Sequence, residues 1–81
     1  MTRDQIHAAL IEIVSDIAPD EDWTALTMDE PLKGRLDSMD FLDVVMELRK
    51  RYGVEVKEAD YGKLGTMQSC IDFLEPMLAD K

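Results

Sequence analysis

Apolar residues near the N-terminus recur every three to four positions, and this period restricts that part of the chain to an amphipathic α-helix. Thr2 and Gln5 stand at the spacing of a capping box, which satisfies two backbone N–H groups at a helix start. Pro19 cannot continue a helix, so we predict a helix over residues 3 to 17. Its apolar face comprises Ile6, Leu10, Ile13 and Ile17, with Ala9 and Val14 beside them.

A second helix is predicted over residues 38 to 52, between Asp37 as its N-cap and Gly53 just beyond its C-terminal end. Its apolar residues form two neighbouring stripes, and a helix in a chain of 81 residues rarely buries both. We therefore expect the first stripe to pack in the core and the second to stay exposed. The first comprises Phe41, Val44, Val45, Leu48 and Tyr52, and the second comprises Met39, Leu42 and Met46.

The rest of the chain predicts a long ordered loop, a weak helical turn and a last helix. Residues 18 to 37 have no clear period but contain apolar side chains that would hold the loop in place. Residues 58 to 64 form at most one helical turn, because a glycine interrupts them. Thr66 caps the last helix, which we expect to kink or fray near Glu75 because Pro76 removes a backbone hydrogen bond. The expected buried residues are Trp23, Leu26, Leu32 and Leu36 in the loop, and Met67, Cys70, Ile71, Leu74 and Leu78 in the last helix.

Charge and composition argue against several classes of function. Eighteen acidic and nine basic residues give a net charge of -9, which repels nucleic acid and anionic membranes. No apolar run approaches the ~20 residues of a membrane span and no leader pattern is present, so we expect a cytoplasmic protein without membrane insertion. Cys70 and His7 are the only cysteine and histidine, and the acidic residues lack the spacing of a calcium loop. We therefore expect no metal site, no catalytic residues, a buried Cys70 and a solvated His7.

The most specific pattern in the sequence is the stretch over residues 36 to 56. It combines Asp37-Ser38-Met39 at a helix start with alternating acidic and aliphatic residues, an aromatic residue before glycine and a Val-Glu-Val connector. An Asp-Ser pair alone does no more than cap a helix in most proteins. Together with the helix pattern and the chain length, however, this stretch resembles the acyl carrier protein family. Resemblance and periodicity both predict an all-α four-helix bundle over residues 1 to 81 as a single domain, with three main helices, a short third helix and a long loop between the first two.

The resemblance implies a carrier that holds acyl groups as thioesters on a 4'-phosphopantetheine arm attached to Ser38, beside Asp37. A serine in the first turn of a helix suits this role, because a phosphodiester there lies at the positive end of the helix dipole. A phosphopantetheinyl transferase that uses coenzyme A and magnesium would attach the arm. An acyl- or aminoacyl-loading ligase would charge it, and the acyl groups would serve fatty-acid, polyketide or related lipid biosynthesis.

The resemblance also assigns two further sets of residues on the second helix. Synthases and transferases with basic or mixed docking patches would bind an exposed apolar patch with an acidic rim, and we expect the carrier itself to be a monomer. The partner-binding residues would be Met39, Asp40, Leu42, Asp43, Met46 and Glu47. The acyl pocket would be lined by Phe41, Val45 and Leu48, where the bulk of Phe41 leaves little room for a long alkyl chain.

Three departures from the family pattern leave alternatives open. Gly34 stands four residues before Ser38, and Arg35 occupies the place where the family usually has glycine. The Leu-Asp-Ser-Met version around Ser38 also occurs in D-alanyl and some peptidyl carriers, so an aminoacyl or peptidyl carrier is an alternative. Basic residues follow the acidic part of the second helix, at positions 49 to 51. A cofactor-free acidic helical interaction module is the more distant alternative.

Overall fold

The first helix, α1, spans Arg3–Ile17 in the computed structural model, which describes residues 1–79. The predicted capping box is present: the Gln5 N–H donates to Thr2 Oγ1 at 3.2 Å, and the Thr2 N–H donates to Gln5 Oε1 at 2.9 Å. The apolar face packs as predicted, although Ile17 at its end is only half-buried. The fully buried residues of α1 are Ile6, Ala9, Leu10, Ile13 and Val14.

The second helix, α2, spans Ser38–Tyr52, the range that the sequence predicts. Gly53 ends it in the left-handed region at φ 70°, a conformation that glycine adopts without the steric cost of a Cβ atom. The Gly53 N–H donates to the Arg49 carbonyl oxygen at 2.9 Å. The core stripe is narrower than predicted, because only Val44 and Leu48 are fully buried. Phe41, Val45 and Tyr52 are half-buried and pack against the edge of the core.

Between these helices the loop contains two short 3₁₀ turns, Trp23–Ala25 and Leu32–Gly34. Its predicted anchors are in place, since Trp23 is buried and its indole N–H donates to the Ala18 carbonyl oxygen at 3.0 Å. Backbone hydrogen bonds also tie the loop to the chain before and within the last helix: Leu32 donates to Gly65 at 2.9 Å, and Gln68 donates to Met28 at 2.9 Å. The loop is therefore part of the packed body. Leu32 and Leu36 are buried, and Leu26 is half-buried.

After α2 an extended connector leads to a 3₁₀ helix over Glu58–Leu64, which is the short third helix of the bundle. Val54 and Val56 point into the core, whereas Glu55 between them is exposed. Leu64 at the end of the 3₁₀ helix is buried as well. These three apolar side chains hold the segment against the bundle although its own helix propensity is weak.

The last helix, α3, spans Met67–Leu78, and all of its predicted core residues are buried. The expected fraying near Glu75 does not occur, because the helix continues through Pro76 to Leu78. The exposed proline ring lies on the solvent side, while Leu74 and Leu78 are fully buried and hold the last turn. The N-terminal ammonium of Met1 adds a hydrogen bond to the Leu78 carbonyl oxygen.

α1 is the central helix of this all-α bundle, because it packs against both α2 and α3, and α3 in turn packs against the 3₁₀ helix. Residues 1–79 contain no strand, and their one isolated bridge joins Pro31 to Thr66. The described chain measures 32 × 25 × 20 Å. The fold therefore matches the predicted four-helix arrangement, with three α-helices and one short 3₁₀ helix.

Candidate functional site

Ser38 is the first residue of α2, and its side chain is exposed. Asp37 forms the N-cap, where its carboxylate Oδ1 accepts a hydrogen bond from the Asp40 N–H at 2.8 Å. Of the three serines in the chain, Ser38 alone is exposed. Ser15 is half-buried, and the half-buried Ser69 hydroxyl donates to the Thr66 carbonyl oxygen at 3.1 Å. The geometry thus leaves one serine hydroxyl that an enzyme can reach readily.

An apolar cleft of about 570 Å³ opens beside Ser38. Phe41 from α2 and Tyr61 from the 3₁₀ helix meet in its wall as an edge-to-face pair, with ring centroids 5.5 Å apart and an interplanar angle of 74°. Other predicted pocket residues lie elsewhere, since Leu48 is buried in the core and Val45 is half-buried outside the lining. The lining comprises Leu32, Leu36, Asp37, Ser38, Phe41, Tyr61, Gly62, Leu64 and Gly65.

Most of this lining comes from the loop and the 3₁₀ helix, which sequence reasoning did not connect with Ser38. Spacing along one helix identifies residues that share its face, but it gives no register between that helix and a distant segment. The only available signal was the placement of apolar Leu32 and Leu36 in a loop that needed anchors. Nothing in the sequence around Tyr61 indicated that this residue would contact Phe41.

The second apolar stripe of α2 is exposed, as predicted. Met39 is 74% exposed, Met46 is 67% exposed and Leu42 is 45% exposed, which is unusual for large apolar side chains on one helix face. Of the predicted acidic rim, Asp43 is exposed whereas Asp40 and Glu47 are half-buried. The structure therefore brings the predicted partner-binding residues together on the solvent side of α2 and along its border.

The three basic residues at the end of α2 do not form one group. Arg51 reaches back to carboxylates on α1 and α2: its nitrogens lie 2.8 Å from Asp16, 2.8 Å from Glu47 and 3.6 Å from Glu12. The hydrogen bonds to Asp16 and then to Glu47 raise the pKa of Arg51 above its usual value. Within residues 1–79, the exposed Arg49 and Lys50 have no ion-pair partner.

Arg35, which stands where the family usually has glycine, has a clear structural role. Its guanidinium donates to the Asp22 carbonyl oxygen at 3.0 Å and lies 3.3 Å from Glu30 and 3.5 Å from Glu21. It also lies 6.0 Å from the centroid of the Trp23 ring, within the range of a cation–π contact. Arg35 thus ties together the loop that leads to Ser38.

Other chemistry finds little support in the described residues. They contain no cluster of three His, Cys, Asp or Glu side chains that could hold a metal ion. Cys70 is buried, as predicted, and burial raises the pKa of its thiol to about 12, so it is neutral at physiological pH. His7 is half-buried rather than fully solvated. None of the helices within residues 1–79 combines the length and the apolar character that a membrane span requires.

Comparison with known proteins decides the family. No family model matches the chain. An acyl carrier protein of Thermotoga maritima, however, is 30% identical over 80 residues that cover 95% of this chain and 96% of that protein. The chain belongs to the acyl carrier protein family. It is also 27% identical over 81 residues to an acyl carrier protein of Petrotoga mobilis, covering 96% of this chain and 93% of that protein.

A chloroplastic acyl carrier protein of Arabidopsis thaliana is 30% identical over 81 residues, covering 91% of this chain but only 58% of the longer relative. These relatives confirm the resemblance seen in residues 36 to 56. Acyl carrier proteins are carriers rather than enzymes, so the chain has a carrier role and is not an enzyme.

Proposed function

We propose that this chain carries acyl groups as thioesters on a 4'-phosphopantetheine arm attached to Ser38. The observation that carries the proposal is the position of Ser38: an exposed hydroxyl in the first turn of α2, at the mouth of an apolar cleft. The cofactor supplies the thiol that forms the thioester. Ser38 supplies the oxygen of the phosphodiester, and Asp37 holds the first turn of α2 in place through its bond to Asp40.

The surroundings of Ser38 fit a phosphodiester. The first backbone N–H groups of a helix lack carbonyl partners, and together with the helix dipole they favour an anion near the N-terminus. The charge of the phosphodiester needs no buried pocket, and the exposed side chain of Ser38 leaves space for the arm. A phosphopantetheinyl transferase that uses coenzyme A and magnesium would attach the arm.

The cleft favours an acyl cargo over a purely polar one. Leu32, Leu36 and Leu64 line it together with the two aromatic rings, so the first carbons of an acyl chain would lie against apolar side chains. We propose fatty-acid, polyketide or related lipid biosynthesis as the pathway. The Leu-Asp-Ser-Met sequence around Ser38 keeps an aminoacyl or D-alanyl cargo as the alternative.

The exposed face of α2 would receive the partner enzymes, which include a loading ligase and synthases or transferases. Met39, Leu42 and Met46 provide apolar contact, and Asp40, Asp43 and Glu47 provide acidic groups along the border. The net charge of -9 favours partners with basic groups at their docking sites. That the carrier is a monomer, consists of a single domain and is located in the cytoplasm stays a prediction from the sequence.

The proposal is tested by incubating the unmodified protein with coenzyme A, magnesium and a broad-specificity phosphopantetheinyl transferase, followed by intact-mass measurement. The wild type should gain the mass of one arm, and Ser38→Ala should gain nothing. Ser69→Ala is the matched control, because Ser69 lies at the start of α3 and should not affect the modification. A wild type without mass gain favours the cofactor-free interaction module.

A further inference from the structure

The solvent-facing side of α2 carries an acidic group between its exposed methionines and basic groups at its C-terminal end. With 3.6 residues per turn, Met39, Met46 and Lys50 point within about 20° of one direction, and Asp43 lies about 40° away. Leu42 and Arg49 lie on the other side of this direction from Asp43. Along the helix axis, exposed Asp43 thus lies between Met39 and Met46, and exposed Arg49 and Lys50 lie beyond Met46.

We infer that this face docks a partner enzyme whose surface is itself of mixed charge: a basic group opposite Asp43, an apolar pocket for Met39 and Met46, and a carboxylate opposite Arg49 and Lys50. The inference rests on the proposed carrier function and specifies the kind of partner. Asp43 and Lys50 are seven residues apart, so the two charged groups of the partner should be separated by about 10 Å along the helix axis.

Arg51 is excluded from this face by its contacts. Its side chain lies on the α1 side of α2, where Asp16, Glu47 and Glu12 surround it. Its charge is therefore used within the fold, to hold the end of α2 against α1. Arg49 and Lys50 are exposed without an ion-pair partner in residues 1–79, so their charges remain available to a binding surface.

A simpler explanation is that cations near the end of a helix complement its dipole. That explanation applies equally to all three basic residues and requires no particular side of the helix. Partner selection, in contrast, requires that two of them face the methionine surface, as Arg49 and Lys50 do. A uniformly basic docking patch would be repelled by these two residues, which discriminates against partners that bind an entirely acidic helix.

The test uses a fatty-acid synthase ketosynthase with a basic docking patch, together with a variant of it in which the basic residues facing the C-terminal end of α2 are replaced by glutamate. Binding of both to the Ser38→Ala chain is measured at low salt. The Ser38→Ala change separates docking from attachment of the arm, so a failure here is distinct from a failure of the proposed function. We expect the chain to bind the mixed patch about 2- to 30-fold more tightly than the basic patch, the range for two exposed ion pairs.

The double variant Arg49→Glu with Lys50→Glu should reverse this preference, and the difference should shrink at high salt. A control with the same change of net charge, Lys57→Glu with Lys63→Glu, lies outside α2, at the N-cap and within the 3₁₀ helix, and should keep the original preference. Thermal unfolding of each variant establishes that it is folded. Equal binding to both patches, a preference that the double variant does not alter, or no binding to either patch would overturn the inference.

Discussion

Replacing Asp37 by alanine should weaken the first turn of α2, because the Asp37 carboxylate accepts a 2.8 Å hydrogen bond from the Asp40 N–H. Without it this donor has only water as a partner, and loss of such a cap costs roughly 0.5 to 2 kcal/mol, typically about 1. Unfolding can be followed by urea titration with the fluorescence of Trp23, the only tryptophan, which is buried. With a slope of about 1 kcal/mol/M for a small protein, the midpoint should fall by about 1 M.

Asp37→Asn is the matched control, since asparagine caps a helix about as well as aspartate. Asparagine removes the charge that interacts with the helix dipole but keeps the hydrogen-bond acceptor, so it should cost less than alanine. If alanine leaves the midpoint unchanged, or if asparagine destabilises the protein as much as alanine does, the capping hydrogen bond does not stabilise α2. The same pair separates two functions of Asp37. A folded Asp37→Asn protein that the transferase modifies slowly would show that the enzyme recognises the carboxylate itself.

Two further predictions concern the cleft and the core. Acyl chains of increasing length on the Ser38 arm should shift the methyl resonances of Leu36 and Leu64 but not those of Leu48, because Phe41 and Tyr61 form the wall of the cleft. Phe41→Leu should widen the cleft. Progressive shifts at Leu48 in the wild type would contradict this position of the acyl chain. The Cys70 thiol should react with a disulfide reagent only after unfolding. The free energy of unfolding should fall as pH rises from about 9 toward 12, because the unfolded chain loses the thiol proton first. In Cys70→Ala that thiol-linked fall should disappear, and a wild type that lost no more stability than Cys70→Ala over this pH range would refute the prediction.

The helices were predictable because their signals are local. Thr2 with Gln5, Asp37 with Asp40, and Gly53 each mark an end through contacts within a few residues, and the structure shows those contacts. The exposed methionine stripe was predictable for a related reason: one helix of a small bundle lacks neighbours on all sides. The resemblance to the acyl carrier protein family came from the same kind of local pattern together with chain length.

What the sequence did not reveal depends on contacts between distant segments. The approach of Tyr61 to Phe41 and the clamp of Arg51 on Asp16 both require the packing of separate helices, which periodicity alone does not define. The continuation of α3 through Pro76 has a similar cause. Burial of Leu78 holds the last turn despite the missing backbone donor, so tertiary packing outweighs the local tendency of proline to end a helix.

The attachment of the arm to Ser38 is tested most directly by peptide mapping of the protein isolated from its own cells. Trypsin should release residues 36 to 49 as one peptide, in which Ser38 is the only residue with a hydroxyl side chain. If the arm is attached to Ser38, this peptide carries a 4'-phosphopantetheine group, and the peptides containing Ser15 and Ser69 are unmodified. Attachment to Ser38 would be contradicted if the phosphopantetheine group were found on either of those other peptides. It would also be contradicted if no peptide carried the group while partner enzymes were active in the same cells.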